Sequence, residues 1–409
     1  MSTSLKIRGL KSVLLVFTTI VLLYCFIFNP PLVFLPVGIT KIIYVLAFPF
    51  FMLSAVNKLY WRKFKSVTIL MLVYIFYTFL VHIGFSSQTQ FFQRSCLMLF
   101  ESFFTAYVIA YYLVKYFKDK ADLIILWTAI VASAISTLLV MRPDLRMAAN
   151  ELFPLPNEER LQFLLTFRGF GIADDLLFSY SIALSVGLCI CMKYARNNML
   201  YYIFIVLFFF GIFFNARIGM VPILIYLIFI VVLEHKFSLL MRLSIVAILL
   251  VFLFKNSGIL GEHTNTMEWL MDGGNEISFL LKGETGEKLG TFDALSKMLI
   301  VPDTLFGLIF GTGENIYLAK NNSDIGYILQ LNYGGIIQVL LFLFIVIALY
   351  RKLKKNVSSE NRWFCMVFIG TFLICNVKGL FFSTISGIRM LMLLFFVYTL
   401  SRKKVNANI

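Results

Sequence analysis

The sequence predicts an all-α, polytopic membrane protein whose 409 residues form one integral membrane domain. Three observations support this prediction. Hydrophobic residues make up 60% of the chain, charged residues only 14%, and the mean hydropathy is +0.89. Apolar runs of roughly 17–25 residues, the length that crosses a bilayer as a helix, recur along nearly the whole chain. Because these runs do not alternate with polar residues, they exclude the strands of a membrane β-barrel.

Charged and turn residues divide the chain into twelve predicted spans. They cover about 12–28, 32–56, 66–84, 95–114, 123–141, 174–192, 199–214, 218–233, 240–254, 325–350, 362–377 and 388–401. The first span follows Lys6, Arg8 and Lys11 but lacks a small-residue cleavage site. It therefore predicts a retained helix and not a removed signal peptide.

The positive charges predict that both termini are cytoplasmic. When the spans alternate in direction, the short basic runs KLYWRKFK, KYFKDK, RKLKK and SRKK all fall on one side. Most acidic residues fall on the other side, so the net charge of +15 indicates a cytoplasmic coating and no nucleic acid partner. Two long segments, about 142–173 and 255–324, then face outside, where we expect the protein to work.

One arginine lies within an otherwise uncharged apolar hairpin. Arg217 has no acidic residue within fifteen positions on either side, and Asn215 and Gly219 beside it are expected to ease a turn. The 35 residues between Asn198 and Glu234 must cross the bilayer twice, which places Arg217 at the outer surface. A guanidinium binds phosphate oxygens in a bidentate manner, so Arg217 is predicted to bind an anion in an outward-facing cavity. The alternative is an arginine that extends to the lipid head groups.

A second arginine precedes the sixth predicted span. In the run RGFGIADD, Arg168 is followed by Gly169 and Gly171, which allow a close approach of the backbone. Asp174 and Asp175 lie at the N-terminus of the span, where acidic side chains interact favourably with the helix dipole. Arg168 is therefore predicted either to pair with these carboxylates or to bind the same anionic ligand.

A polar stretch flanked by glycines precedes the tenth span and reads GTGENIYLAKNNSDIGYILQLNYGG. Its last two residues, Gly334 and Gly335, are expected to let helices pack closely. Asp324 falls at the start of the helix, so it is either an N-cap or a partly desolvated general base. Asn322 and Tyr327 are candidates for hydrogen bonds to a sugar.

Other polar residues add to the candidate site. Lys378 and Arg389 bracket the last outer turn and are predicted to bring positive charge to the same outer mouth. Glu101 lies about two turns from Arg94 in the fourth span, where an internal polar contact is expected. No HExxH, P-loop, GxSxG or metal-ligand spacing occurs, so no metal or other cofactor is predicted. The six cysteines lie in or beside spans and predict no disulfide framework.

Together these motifs resemble the O-antigen and capsule polysaccharide polymerases of the Wzy type. The run FFNARIGM resembles that family's Ser/Asn-x-Arg-x-Gly turn between two short spans, and RGFGIADD resembles its arginine–glycine motif before a span. The run LFGLIFGTGENIYLAKNNSDIGYILQLNYGGI is similar to the family's glycine-bounded segment that leads to Ser-Asp-x-Gly-Tyr. The resemblance covers residues 168 to 340 and the layout of twelve spans.

The resemblance implies a GT-C-like glycosyltransferase architecture in the cytoplasmic (inner) membrane, serving lipopolysaccharide or capsule biosynthesis. The implied substrate is an undecaprenyl-pyrophosphate-linked oligosaccharide at the outer face, and the implied partners are membrane lipid and a chain-length regulator protein. Arg217 and Arg168 would neutralise the leaving pyrophosphate, and Asp324 would accept the proton of the acceptor hydroxyl. Related O-antigen ligases carry a histidine where this chain has NNSDIGY, which favours a polymerase over a ligase.

A flippase for the same lipid-linked repeat is the alternative from another functional class. Twelve spans with internal cationic residues suit a flippase too, but paired halves or broken helices in corresponding positions would then be expected. The sequence shows no such symmetry, and every candidate polar residue lies toward the outer side. The sequence therefore favours the polymerase.

Overall fold

The computed structural model describes residues 2–85, 89–154, 169–176, 178–235, 237, 241–245, 296–316, 323–383 and 385–401. Within these ranges the chain forms only helices and connecting turns, with no strand, so the predicted all-α class is confirmed for them. The α-helices are α1 Ser2–Phe28, α2 Ile39–Met52, α3 Ser54–Gly84, α4 Gln90–Leu97, α5 Thr105–Phe117, α6 Ala121–Met141, α7 Pro143–Leu152, α8 Phe178–Ala195, α9 Tyr201–Phe213, α10 Met220–Ile228, α11 Leu305–Phe310, α12 Gly326–Asn356, α13 Trp363–Cys375 and α14 Ser386–Leu400. The π-helical stretches Met98–Phe104 and Phe229–Leu233 extend α4 and α10.

Four helical stretches among the described residues are long and apolar enough to cross a membrane. They are Ser54–Gly84, Gln90–Met141, Phe178–Ala195 and Gly326–Asn356. The longest of them contains a turn at Lys118, whose φ of 51° separates α5 from α6. Shorter apolar helices accompany these stretches, including α2, α9, α10 and α14.

Large apolar side chains cover the outside of these helices. Phe17, Leu46, Phe76, Ile203 and Ile228 are each about 60% exposed. In water, extended apolar surface of this kind promotes aggregation, whereas in a bilayer it faces lipid tails. The surface is therefore that expected of a membrane protein.

The second predicted span, at 32–56, is shorter in the structure, because α2 begins only at Ile39. Pro30, Pro31 and Pro36 explain the late start, since proline lacks the backbone N–H and disfavours helical geometry in the residue before it. The helix α3 then includes the basic run KLYWRKFK, which the sequence places in a loop.

Parts of the predicted map lie outside the described residues. They include most of the ninth span, at 240–254, and most of the outer segment 255–324. In the other outer segment, 142–173, the described residues form α7 and the beginning of an irregular stretch, 169–176.

Long-range contacts define two ends of the helix bundle. At one end, Arg389 in the first turn of α14 donates to Asp174, which precedes α8, at 2.8 Å. At the other end, Asp122 in the first turn of α6 accepts from Lys193 near the end of α8, at 2.7 Å, and from Tyr398 near the end of α14, at 3.2 Å. We call these the Arg389 end and the Asp122 end. The helices α8 and α14 therefore run in the same direction, and α6 runs opposite to both.

The helices α8 and α14 form the centre of the bundle. All residues from Ser179 to Met192 and from Ser386 to Thr399 are buried. The helix α8 packs against α6, α9, α10 and α14, and α14 also packs against α5. Segments that meet at the start of α8 are consequently held by a fully buried part of the core.

The helix α12 is interrupted at Gly334 and Gly335. Gly335 has φ 68° and ψ −170°, a backbone conformation that is essentially restricted to glycine. A Cβ atom added to Gly335 would lie 2.2 Å from the carbonyl oxygen of Ile309, so the end of α11 packs directly on the interruption. The hydroxyl of Tyr77 donates to the Gly334 carbonyl at 2.7 Å. The expected close approach is present, but the sequence does not predict the break itself.

Candidate functional site

The turn between α9 and α10 carries Arg217 and is held closely against α8. Arg217–Gly219 forms a single 3₁₀ turn. A Cβ atom added to Gly219 would lie 2.8 Å from the Cβ of Ser181, and the hydroxyl of Ser185 donates to the Gly219 carbonyl. Glycine at this position therefore fixes one side of the turn to α8.

Asn215 fixes the other side of the same turn. Its side chain is fully buried, and its Nδ2 atom lies 3.1 Å from both the Ser136 hydroxyl and the Phe170 carbonyl. The Ser136 hydroxyl donates to the same carbonyl. The expected role of Asn215 is to ease the turn, whereas in the structure it ties α9 to α6 and to the stretch that contains Phe170.

Arg217 itself is partly buried, and its Nε atom is enclosed by the protein. The neighbouring side chains of Ile218 and Met220 pack against the main hydrophobic core. The arginine therefore belongs to a turn that is anchored on both sides, and its side chain is partly enclosed.

The segment 169–172 runs from the predicted Arg168 motif toward α8. Gly169 has φ 90°, and a Cβ atom added to Gly171 would lie 2.7 Å from the Cζ atom of Tyr180. These two glycines allow the backbone to pass close over the start of α8. Arg168 lies outside the described residues, so its two alternative roles remain predictions.

Sequence reasoning missed Arg146, in α7. This arginine is only 5% exposed, and its guanidinium carbon lies 4.0 Å from the centre of the Phe170 ring. Burial lowers the pKa of Arg146 to about 10, which leaves the side chain charged at neutral pH. An arginine in a predicted outer loop is normally solvated, and nothing in the local sequence indicates this stacking.

Arg389 and Asp174 form an ion pair inside the bundle. The Nη2 atom of Arg389 lies 2.8 and 3.0 Å from the two carboxylate oxygens of Asp174, and its Nε donates to the Ile27 carbonyl at 2.9 Å. Asp174 also accepts from Asn29 at 2.8 Å. Because α8 begins only at Phe178, Asp174 does not cap that helix. The predicted substrate-binding role of Arg389 does not fit this placement, since its guanidinium is fully buried and bound to protein groups.

Asp324 and Lys378 face each other at 4.0 Å, with side chains 39% and 44% exposed. Asp324 is not an N-cap, because α12 begins two residues later without a side-chain capping bond. The hydroxyl of Tyr327 donates to the Leu373 carbonyl at 2.9 Å and so holds α12 to α13. Asn322 lies outside the described residues.

Glu101 makes the internal polar contact that the sequence predicts, with a side chain on another helix. It lies 97% buried in the π-helical stretch, where its Oε2 atom accepts from the hydroxyl of Thr40 at 3.2 Å. Arg94, the neighbour suggested by sequence spacing, is exposed. The contact therefore joins α2 to the extension of α4.

The first turn of α8 connects the groups described above. Each of four consecutive residues contacts a different segment: Phe178 contacts Gly379, Ser179 accepts from the Gly387 amide, Tyr180 contacts Gly171, and Ser181 contacts Gly219. One helical turn rises only about 5.4 Å. The Arg217 turn, segment 169–172, the turn after α13 that carries Lys378, and the start of α14 are therefore arranged around a single point in the core.

No protein-family model, curated protein or solved structure matches this chain. The function inferred for the protein therefore depends on its own residues and on their geometry.

Proposed function

We propose that the chain is a glycosyltransferase that joins undecaprenyl-pyrophosphate-linked oligosaccharide repeats, as polymerases of the Wzy type do. The observation that supports this most is the Arg217 turn. A partly buried arginine on a turn anchored by Asn215 and Gly219 is suited to bind an anion, because fixed charges need no reorganisation when new charge develops. An arginine that only reaches for lipid head groups has no need of this double anchoring.

In this proposal, the Arg389 end faces the outside of the inner membrane. The Lys63 ammonium donates to the Thr399 carbonyl at 3.2 Å, and Lys193 pairs with Asp122. These two lysines therefore lie at the Asp122 end. Positive charge beside membrane spans favours the cytoplasmic side. If the twelve predicted spans are correct and both termini are cytoplasmic, the Arg217 turn and Asp324 face the periplasm or exterior.

The reaction transfers the reducing-end sugar of the growing chain from its lipid pyrophosphate to a hydroxyl group of the incoming repeat. The bond from the anomeric carbon to the pyrophosphate oxygen breaks, and the leaving pyrophosphate takes the electron pair. A new bond forms between that carbon and the acceptor oxygen, whose proton passes to a base. No metal is needed if cationic side chains neutralise the leaving group.

The residues divide this work by their chemistry. Arg217, together with Arg168, neutralises the developing charge on pyrophosphate. Asp324 accepts the proton, and Lys378 at 4.0 Å helps to hold that carboxylate in place. Asn322 and Tyr327 bind the sugar. Since the hydroxyl of Tyr327 already donates to a carbonyl, it serves as an acceptor for sugar hydroxyl groups.

Purified protein supplied with one synthetic lipid-linked repeat tests the proposal. We expect a ladder of dimers and longer products without any other enzyme. Asp324→Asn should slow elongation by about 10²–10⁴-fold, because the acceptor hydroxyl loses its base. Asp303→Asn is the matched control, because Asp303 is exposed and lies in the loop just before α11. A wild-type protein that leaves the repeat unextended would refute the polymerase.

The break in α12 favours a second candidate function, a transporter of the same lipid-linked repeat. Transporters commonly bind substrate at interrupted helices, where backbone groups are exposed within the membrane. In vesicles that contain the protein, a transporter would move a fluorescent lipid-linked repeat across the bilayer without elongating it. The polymerase proposal predicts elongation with no such movement.

A further inference from the structure

Arg146 and Arg142 belong to the same outer segment but occupy opposite environments. The side chain of Arg142 is 60% exposed and pairs with Asp144 at 2.7 Å. Arg146, four residues later, is 5% exposed and packs against the aromatic ring of Phe170. Burying a charged group is unfavourable unless specific contacts compensate. The contact with the Phe170 ring is one of the contacts that hold Arg146 in this buried position.

The contact continues from Phe170 to the Arg217 turn. The ring of Phe170 packs at right angles to that of Phe214, with ring centres 6.0 Å apart. Its carbonyl accepts from the side-chain amide of Asn215 at 3.1 Å. Asn215 is two residues from Arg217, and its own amide and that of Ala216 are bonded to the last turn of α9. A short chain of contacts therefore leads from α7 to the candidate anion-binding arginine.

We infer that Arg146 is a positioning residue, which clamps Phe170 and thereby fixes the turn that presents Arg217 to the pyrophosphate group of the substrate. The role assigned to Arg217 rests on the proposed function, whereas the clamp itself does not. A guanidinium lies flat on an aromatic face, and a lysine ammonium cannot reproduce that planar contact. The geometry therefore calls for arginine and not merely for positive charge.

Hydrogen–deuterium exchange of the full-length protein in nanodiscs tests the clamp without reference to activity. In Arg146→Met, amides in a peptide covering 211–219 should exchange roughly two- to thirtyfold faster, as expected when a cation–π contact is lost. A peptide covering 386–399 should not change. Arg142→Met is the matched control and should leave both peptides unchanged. Unaltered exchange at 211–219, or equal acceleration in both peptides, overturns the inference.

The elongation assay tests the consequence for catalysis. Arg146→Met should lower kcat by about 10–10²-fold with a smaller change in KM, because small displacements of a catalytic group are costly. Arg146→Lys should behave like Arg146→Met. In an Arg217→Gln background, Arg146→Met should have almost no further effect, since it acts through the residue already removed. Fully additive losses, or full rescue by lysine, overturn the positioning role.

The two experiments separate the inference from the proposed function. If wild-type protein does not elongate the repeat, the polymerase proposal fails, and the exchange experiment alone decides whether Arg146 fixes the Arg217 turn. If elongation is seen but both Arg146 variants match wild type, the polymerase stands and the inference fails.

Discussion

Arg217 and Arg389 illustrate, at the scale of single residues, how similar sequence surroundings lead to different roles. Each lies at the start of an apolar run with no acidic residue within fifteen positions. Arg389 is fully buried and paired with Asp174, which is 215 positions away along the chain. Arg217 instead belongs to the anchored turn between α9 and α10 and is only partly buried. Only the tertiary structure separates the residue that joins helices from the candidate ligand-binding residue.

Asp174→Asn should destabilise the protein by about 2–4 kcal/mol, because it leaves the buried Arg389 without its counter-charge. Unfolding in mixed micelles of increasing denaturing-detergent fraction measures this change. The matched control is Asp144→Asn in the exposed pair with Arg142, which should change the stability far less, because solvent screens an exposed ion pair. Equal losses in the two variants would show that the pair of Arg389 and Asp174 has no special structural role.

At the scale of secondary-structure elements, α8 and α12 organise the site in different ways. The first turn of α8 contacts four segments through consecutive residues, Phe178–Ser181, so it acts as the common support. The helix α12 instead is divided by Gly334 and Gly335, and its first half begins two residues after Asp324. The interruption therefore separates the half of α12 that follows Asp324 from the rest of the helix.

Gly335→Ala should prevent normal folding or destabilise the protein by more than about 3 kcal/mol, because alanine cannot easily adopt its φ of 68° and its Cβ would collide with the Ile309 carbonyl. Gly84→Ala is the matched control. Gly84 also lies in a long helix, and a Cβ there meets nothing within 4 Å. The fraction of protein that remains folded in detergent and the midpoint of unfolding measure the stability of the two variants. Normal stability of the Gly335 variant would contradict the described backbone.

At the scale of the whole molecule, continuous apolar runs predict helices well, since a helix satisfies its own backbone groups in lipid. The predicted spans at 66–84 and 123–141 lie within α3 and α6. Contacts between distant segments are not predictable in this way, because local periodicity carries no information about which segment lies opposite. The stacking of Arg146 on Phe170 and the break of α12 against α11 are both of this kind.

The same limit applies to the candidate site. The turn containing Arg217 is predictable from an arginine between two short apolar runs. Asp324 and Lys378, which the sequence predicts to share one outer mouth, lie 4.0 Å apart. The burial of Arg389 is not predictable, because its partner is distant in sequence. The fold thus brings groups that the sequence predicts for the site together around α8. One of them, Arg389, instead joins helices through its pair with Asp174.

The elongation rate of Arg217→Gln in the purified system tests the central claim most directly. The account predicts a fall of about 10²–10³-fold relative to wild type, because the leaving pyrophosphate loses a fixed positive charge. Arg142→Gln, the exposed control, should retain the wild-type rate. If Arg217→Gln elongates the lipid-linked repeat within about twofold of wild type, Arg217 does not stabilise the leaving group and the proposed mechanism is wrong.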